Sequence, residues 1–337
     1  MPLVTVVVPT YNRAHLLRGA IQSVLAQKYT SFRLVVSDNV SSDVTPRVIA
    51  DFDDPRLIYV RRSTHVNLNQ HYNEFTSAID TKYLFILPDD DLMLPRCLES
   101  LVPILEQHPR VGMVHGRARI EDSNGRTIAP SHDMTGFAGD VIESGDQFIL
   151  EAMSTSHRVH GSTVLFRMDA LRSLSLDSRD YPATEFGLWL RMALDWAIAF
   201  TATTVAVYRI HSNTYTAGHA KVGGGGYVQT LDSIHNIHQV KLRFLKDNAA
   251  RLGDTRSLRH NARRALTAQL VNFAGHATLP ERRLALTIRT LTACAQLGPG
   301  VLLNAGAWRL LAGSMIGPRL ATRLSASRRG SPLAKCG

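Results

Sequence analysis

The chain has 337 residues, 45% of them apolar and 20% charged, a composition ordinary for a globular protein and a length that allows one large domain plus an appendage. Its three cysteines, Cys97, Cys294 and Cys336, stand far apart, which excludes a disulfide framework and a zinc-ligand spacing and suits a reducing, cytoplasmic setting. The formal net charge of +10 is uneven: residues 217–337 hold 18 Lys and Arg against four Asp and Glu, and the preceding residues hold 20 against 24. A mildly acidic N-terminal part thus precedes a strongly basic one, an asymmetry that suits an anionic partner or simply a soluble basic surface.

The opening MPLVTVVVPTYNR has no basic segment ahead of its short apolar run, so it reads as a first strand, Val4 to Val8 ended by Pro9, and not as a signal peptide. Leu16, Leu17, Ala20, Ile21, Val24 and Leu25 follow at helical spacing and predict a helix over 13–27. A second strand is expected over Phe32 to Ser37, then a helix over 45–52 with an N-cap candidate in Ser41-Ser42-Asp43. Leu57 to Val60 reads as a third strand, 69–79 as a helix, and Tyr83 to Leu87 as a fourth strand. Strands alternating with helices predict right-handed crossovers and a largely parallel α/β sheet.

Farther on, the pattern predicts a helix over 96–107, a strand over 111–121 with a turn at Ser123-Asn124-Gly125, a strand over 161–166, a helix over 185–197 and a last strand over 204–210. This mixed arrangement suggests a smaller second half, 111–220, beside the first, 1–110. The glycine run 223–226 reads as a hinge, and helices are expected over about 228–248, 255–276, 280–296 and 301–316, within a basic helical region 221–337. The stretch from Leu291 to Pro318 is interrupted by Pro299, Asn304 and Arg309, short of the roughly 20 continuous apolar residues a membrane span needs. Leu- and Ala-rich helices carrying Arg282, Arg283, Arg289, Arg309, Arg319 and Arg323 fit an interfacial segment on anionic lipid. They fit equally a helical bundle packed on the rest of the protein.

In sheets of this kind ligands bind beyond the carboxyl ends of the strands, where this chain offers Pro9 to Arg13, Asp38-Asn39 and Asp89-Asp90-Asp91. Three adjacent aspartates suit a solvated turn or a helix cap. At the end of a buried strand they repel one another unless a cation or hydrogen-bond donors offset them, and an oxygen-rich cluster suits a hard divalent ion, Mg²⁺ or Mn²⁺. Such an ion can bridge the phosphates of a nucleotide and stabilise a departing diphosphate.

Taken in order, VTVVVPTYNR, LVVSDNVSSD, YLFILPDDDL, TEFGLWLRMA and VYRIHSNT resemble the family 2 glycosyltransferases, inverting enzymes of the GT-A fold. The resemblance runs from Leu3 to Thr214. It implies that Pro9, Thr10 and Tyr11 line a nucleobase and ribose pocket with Arg13 at its edge, and that Asp38 accepts a hydrogen bond from the base, usually uracil. It implies ribose contact for Asp89, metal contact for Asp90 with Asp91 as a second ligand candidate, and metal or diphosphate contact for His211. Glu185 falls at the position of the catalytic base, six residues before Arg191; read without the resemblance, it is a carboxylate favoured at a helix start. His160, Gly161, Ser162 and Arg191 are candidates for the acceptor side.

The resemblance therefore predicts a single-addition transferase, since the QxxRW motif and membrane spans of the processive members are absent from the sequence. Its expected partners are a nucleotide-diphosphate sugar and a glycan or lipid-linked acceptor, with peripheral contact at the inner face of the cytoplasmic membrane and no nucleic acid. Two acids at 37–38 and an Asp at the base position are common in the family, and this chain has Ser37-Asp38 and Glu185 instead. A dinucleotide oxidoreductase is disfavoured because the first strand-helix turn is PTYNR and not GxGxxG. A binding protein with a degenerate transferase domain, or a nucleic-acid binder acting through its tail, is the reading from another class. The intact acids and the widely spread Phe244, Phe273 and Trp308 weigh against it.

Overall fold

VTVVVPT, four of its seven residues valine, forms β1 (Val4–Thr10), the strand on which the first part of the sheet is built. In chain order there follow α1 (Ala14–Leu25), β2 (Phe32–Asp38), α2 (Thr45–Ala50), β3 (Leu57–Arg61), α3 (Leu68–Ser77), β4 (Tyr83–Ile86), the two-residue β5 (Leu92–Met93) and α4 (Cys97–Gln107). The computed structural model describes residues 2–132, 135–155, 158–210, 219–221, 227–229, 231–278 and 284–312. The chain divides into two units, Met1–Tyr215 and Thr216–Gly337, so the division falls five residues before the boundary expected from the sequence.

In the first unit β1 pairs parallel with β2 on one side and β4 on the other, and β3 continues beyond β2, also parallel. Val4, Val6 and Val8 pack with Leu17, Ile21 and Val24 of α1 and with Leu98, Leu101 and Leu105 of α4, the main apolar core. Pro9 lies inside β1 and does not end it, although proline is rare in central strands. The register explains this. Val7 O accepts from Leu87 N on the β4 side, while Thr10 O accepts from Asn39 N on the β2 side. Backbone groups of a parallel strand alternate sides, so the N–H that Pro9 lacks would face the β4 side, where the β4 ladder has already stopped at Ile86.

The second half of the unit adds β6 (Val111–Asp122), β7 (Thr127–His132), β8 (Val141–Glu143), α5 (Gly145–Ser154), β9 (Leu165–Arg167), α6 (Met168–Leu171), α7 (Thr184–Met192) and β10 (Ala197–Ile210). The strand order is β3-β2-β1-β4-β9-β6-β10-β5. β9 joins the halves by pairing antiparallel with both β4 and β6, and β10 runs parallel to β6 and antiparallel to β5. The first four strands are parallel as expected, and the remainder is mixed.

Three boundaries differ from expectation. Residues 161–163 form a 3-10 turn, closed by Thr163 donating from N and Oγ1 to His160 O, so strand pairing begins only at Leu165. The helix expected over 185–197 stops at Met192, and Ala197 already belongs to β10, whose 14 residues include Thr201, Thr203, Thr204 and Val205, β-branched residues that suit a pleated strand. Helix α5 was not foreseen, although Ser144 and Gln147 form a capping box at its start.

In the second unit a short antiparallel hairpin, β11 (His219–Lys221) with β12 (Tyr227–Gln229), precedes α8 (Leu231–Asp247), α9 (Ala249–Leu252), α10 (Arg256–Thr278) and α11 (Leu284–Leu297). Val228, expected in a helix, is therefore in a strand. A 3-10 turn over Pro299–Leu303 leads into helical residues 305–312. Ile234, Leu266, Leu270, Leu291, Cys294, Val301 and Ala307 form this unit's own core. The glycine run 223–226 and Arg282, Arg283, Arg319 and Arg323 lie outside the described residues. No helix among the described residues is long and apolar enough to cross a membrane.

Candidate active site

The carboxyl ends of β1, β2 and β4 are laced together by side chains. Asn12, at φ +54°, accepts from Ser42 N at 2.7 Å through Oδ1, and its own N–H donates to Ser41 Oγ at 2.9 Å. Ala14 N, at the start of α1, donates to Asp43 Oδ2 at 3.0 Å. Asp38, 0% exposed, ends β2 and accepts from Ser41 N at 2.8 Å and from Tyr59 OH at 2.7 Å, with Arg61 Nε at 3.4 Å. Burial, and next Asp38 itself, push the Tyr59 phenol well above its ordinary value. Val40, two residues on, has φ +70°, a conformation that strains a β-branched residue.

Tyr11 is 46% exposed, and its ring lies 4.4 Å, centroid to centroid, from that of His65, which is held by Asn39 O at 3.1 Å from Nδ1. No local pattern in the sequence marks His65. Tyr59 and Arg61 were legible in principle, since the register sets Val36 beside Tyr59 and Asp38 beside Arg61, and alternate residues of a strand share a face.

Asp89 to Asp91 occupy the turn between β4 and β5, closed by Asp91 N donating to Pro88 O at 3.1 Å. Each carboxylate has different company. Asp89 accepts from Thr10 Oγ1 at 2.7 Å and from Arg13 Nη1 at 3.0 Å, and the same Nη1 donates to Asp90 Oδ2 at 2.9 Å. Asp91, 1% exposed, accepts from Ser162 Oγ and from Arg209 N, and Arg209 Nε donates to Asp90 O. Burial pushes Asp89 up to about 6 against the pull of Thr10 and Arg13. Burial first and Asp90 second push Asp91 well above the ordinary carboxylate range.

Arg13 is therefore an internal counter-cation for two of the three acids, a tighter engagement than the pocket-edge place expected for it. Ser162, expected on the acceptor side, is the hydroxyl that holds Asp91. Among the described residues no three His, Cys, Asp or Glu side chains converge as a metal cage. The donor set nonetheless fits Mg²⁺ or Mn²⁺, which are commonly held by one or two carboxylates together with substrate phosphates. Both oxygens of Asp91 already accept bonds, one from Ser162 Oγ and one from Arg209 N. His211 lies outside the described residues.

Glu185 sits in the first turn of α7 and lines a small cavity of about 30 Å³ with Tyr72, Ile86, Gly161 and Trp189. A Cβ on Gly161 would lie 2.7 Å from Glu185 Oε2, so the carboxylate occupies the space a side chain there would take. Burial raises the Glu185 carboxyl to about 6. The Tyr72 phenol is pushed well above its ordinary value by burial first, then by Glu185, Asp89, Asp90 and Asp91. Gly161, against which the Glu185 carboxylate lies, is followed in the same 3-10 turn by Ser162, which holds Asp91. Tyr72 carried no signal in the sequence beyond its place on an apolar helix face.

Of the acceptor-side candidates, His160 is buried, with Nε2 3.0 Å from His132 Nδ1 and its ring 5.6 Å from that of Tyr208. Arg191 is not brought to Glu185. It donates to Asp180 Oδ2 at 2.7 Å and to Ser175 O at 3.2 Å, and lines a separate open concavity of about 370 Å³ with residues 173–178. Six residues along a helix turn a side chain about 120° away from its starting direction, which accounts for the separation.

The sequence profile described as "Glycosyl transferase family 2" matches residues 5–174. A GalNAc(5)-diNAcBac-PP-undecaprenol beta-1,3-glucosyltransferase of Campylobacter jejuni is 26% identical over 253 residues, 73% of this chain and 77% of the relative. Among solved structures, S. aureus TarS 1-349 in complex with UDP-GlcNAc superimposes with a TM-score of 0.54 at 13% identity, over 90% of this chain and 92% of that one. The mannosyltransferase PcManGT of Pyrobaculum calidifontis, in complex with GDP-Man and Mn2+, gives a TM-score of 0.54 at 20% identity, over 94% and 86%. With the profile spanning half the chain and carrying β1, β2 and the aspartate turn, the protein belongs to glycosyl transferase family 2 and is a glycosyltransferase of the GT-A fold.

Proposed function

We propose that the protein is an inverting transferase that moves a single sugar, of hexosyl or N-acetylhexosaminyl type, from a UDP-linked donor to a hydroxyl of a glycan or lipid-linked acceptor. The observation that supports the reading is the Glu185 carboxylate lying against Gly161, whose chain neighbour Ser162 holds Asp91, the last of the three aspartates. Residues 1–220 are the catalytic part, divided near 110 into donor and acceptor halves. Residues 221–337 serve membrane or acceptor contact at the inner face of the cytoplasmic membrane. The named lipid-linked substrate of the Campylobacter relative and the UDP-GlcNAc bound by TarS support the acceptor and donor classes.

In this reading the Tyr11–His65 ring pair and the β2 end at Asp38 receive the nucleobase, while Pro9 and Thr10 shape the pocket and Asp89 meets the ribose. Asp90 would hold a divalent ion, which when bound would supply positive charge against the charge developing on the leaving group. Arg13 keeps Asp89 and Asp90 in register, and Asp91 is the clasp to Ser162 and β10. Glu185, ionised above about pH 6, accepts the proton of the acceptor hydroxyl as that oxygen attacks the anomeric carbon. The bond from that carbon to the diphosphate breaks on the opposite face, the diphosphate leaves with the electron pair, and the configuration inverts.

The test is a screen of nucleotide sugars with Mn²⁺, followed by NMR of the product's anomeric centre. An inverted linkage, lost in Asp90→Ala and Glu185→Ala, is expected. Retention of configuration, or full turnover by both variants, would sink the reading.

A further inference from the structure

The last acidic residue of the sequence is Glu281, and residues 282–337 hold nine Lys and Arg with no Asp or Glu. Among the described residues of this acid-free stretch four large apolar side chains stand in water, Ile288 on α11 and three more close together in sequence. Leu303 is 90% exposed, Trp308 60% and Leu302 54%, while their neighbours Val301 and Ala307 are buried in the core of the second unit. The 3-10 turn over Pro299–Leu303 turns Val301 inward and leaves Leu302 and Leu303 outside. Arg309, next in the chain, is exposed as well.

Single exposed apolar residues are unremarkable. Here Trp308 Nε1 donates to Leu302 O at 2.9 Å, which ties the indole to the leucine turn as one patch. The bond also settles a solvation problem. A buried indole N–H ordinarily needs a partner, and this one already has a backbone carbonyl, so neither group loses a bond to water when the patch enters an apolar medium. Leucines offer nothing to a phosphate backbone, and Trp308 has no second exposed aromatic beside it in that stretch, so nucleic acid is the poorer match. Apolar and aromatic side chains in a stretch that carries nine basic residues and no acid match the boundary of an anionic bilayer.

We propose that Leu302, Leu303 and Trp308 form a wedge that inserts into the interfacial layer of an anionic lipid membrane, with the acid-free basic stretch supplying the attraction. The inference deepens the membrane contact proposed above and rests on the surface of the second unit alone. Flotation of the full chain with vesicles of phosphatidylcholine, with and without phosphatidylglycerol, tests it, alongside calorimetric titration with UDP. The wild type should float with the anionic vesicles and detach as salt rises. The double variant L303S/W308S should bind them about tenfold or more weakly while its UDP affinity is unchanged. Brominated lipid should quench the wild type's tryptophan emission and spare that of W308F. L303E, at a side chain already in water, should repeat the loss if the double variant folds poorly.

Undiminished flotation of L303S/W308S and L303E overturns the wedge, as does RNA binding without vesicle binding. Normal flotation by a wild-type chain that binds no UDP supports the wedge and counts instead against the nucleotide-sugar reading.

Discussion

The proposed donor and acceptor halves of the first unit hold their carboxylates by opposite means. On the donor side Asp38 is tied by a backbone N–H and a phenol, Asp89 by a hydroxyl and a guanidinium, and Asp91 by a hydroxyl and a backbone N–H. On the acceptor side Glu185 is accommodated by an omission: Gly161 has no side chain, and the carboxylate stands in its place. The groups proposed to bind are thus fixed by bonds, while the proposed base is fixed by shape and by surroundings that raise its affinity for a proton.

The contrast breaks first at Glu185. Glu185→Gln keeps the shape and removes the base, and should lower kcat by about 100- to 10,000-fold with the donor's KM little changed. Unaltered kcat would end the base assignment. Gly161→Ala places a Cβ against Oε2, and should lower kcat/KM by roughly 10- to 100-fold through misplacement while UDP affinity, read by calorimetry, stays the same. Equal losses of UDP affinity and turnover would show that the glycine shapes the donor side too.

On the bonded side, Asp38→Ala leaves the Tyr59 hydroxyl and Ser41 N–H without their partner and should cost about 1–3 kcal/mol of stability. Thermal unfolding should register this as a fall of several degrees. The pH dependence sharpens the comparison further. Because the Glu185 carboxyl is raised to about 6, the base is protonated and idle below that value, and kcat/KM should rise through it to a plateau. The same shift means that ionising Glu185 opposes folding. Its favourable contribution is present at low pH and lost as pH rises through about 6, so Glu185→Gln should gain about 2 kcal/mol over wild type between pH 4 and 8. The smallest expected effect is at Val40, where glycine relieves the positive φ and should stabilise by a few tenths to about 1 kcal/mol.

The sequence revealed what is repeated or contiguous. Strand-helix alternation marks β1 to β4 in the sequence, and the rule that ligands gather beyond strand ends marks Asp38 and the aspartate turn. What stayed hidden depends on pairing across distance. Ser162 holds Asp91 over 71 positions, and Arg209 N reaches Asp91 over 118; neither has a local pattern that marks it. β10 was half seen because AIAFTATTVAVYRI is apolar at nearly every position in its first turns, so periodicity does not separate strand from helix there. β5, with two residues, is too short to leave any pattern.

Pro9 has a consequence for how the sheet opens. A parallel ladder tends to zip onward as long as each strand offers a donor, and here the next rung would have drawn the β4 chain past Ile86 against β1. A residue with no N–H removes that rung at the covalent level, whatever the temperature or ligand. The fork between β1 and β4 is in that sense permanent, and the aspartates hang in its mouth because the chain beside them has nothing further to offer.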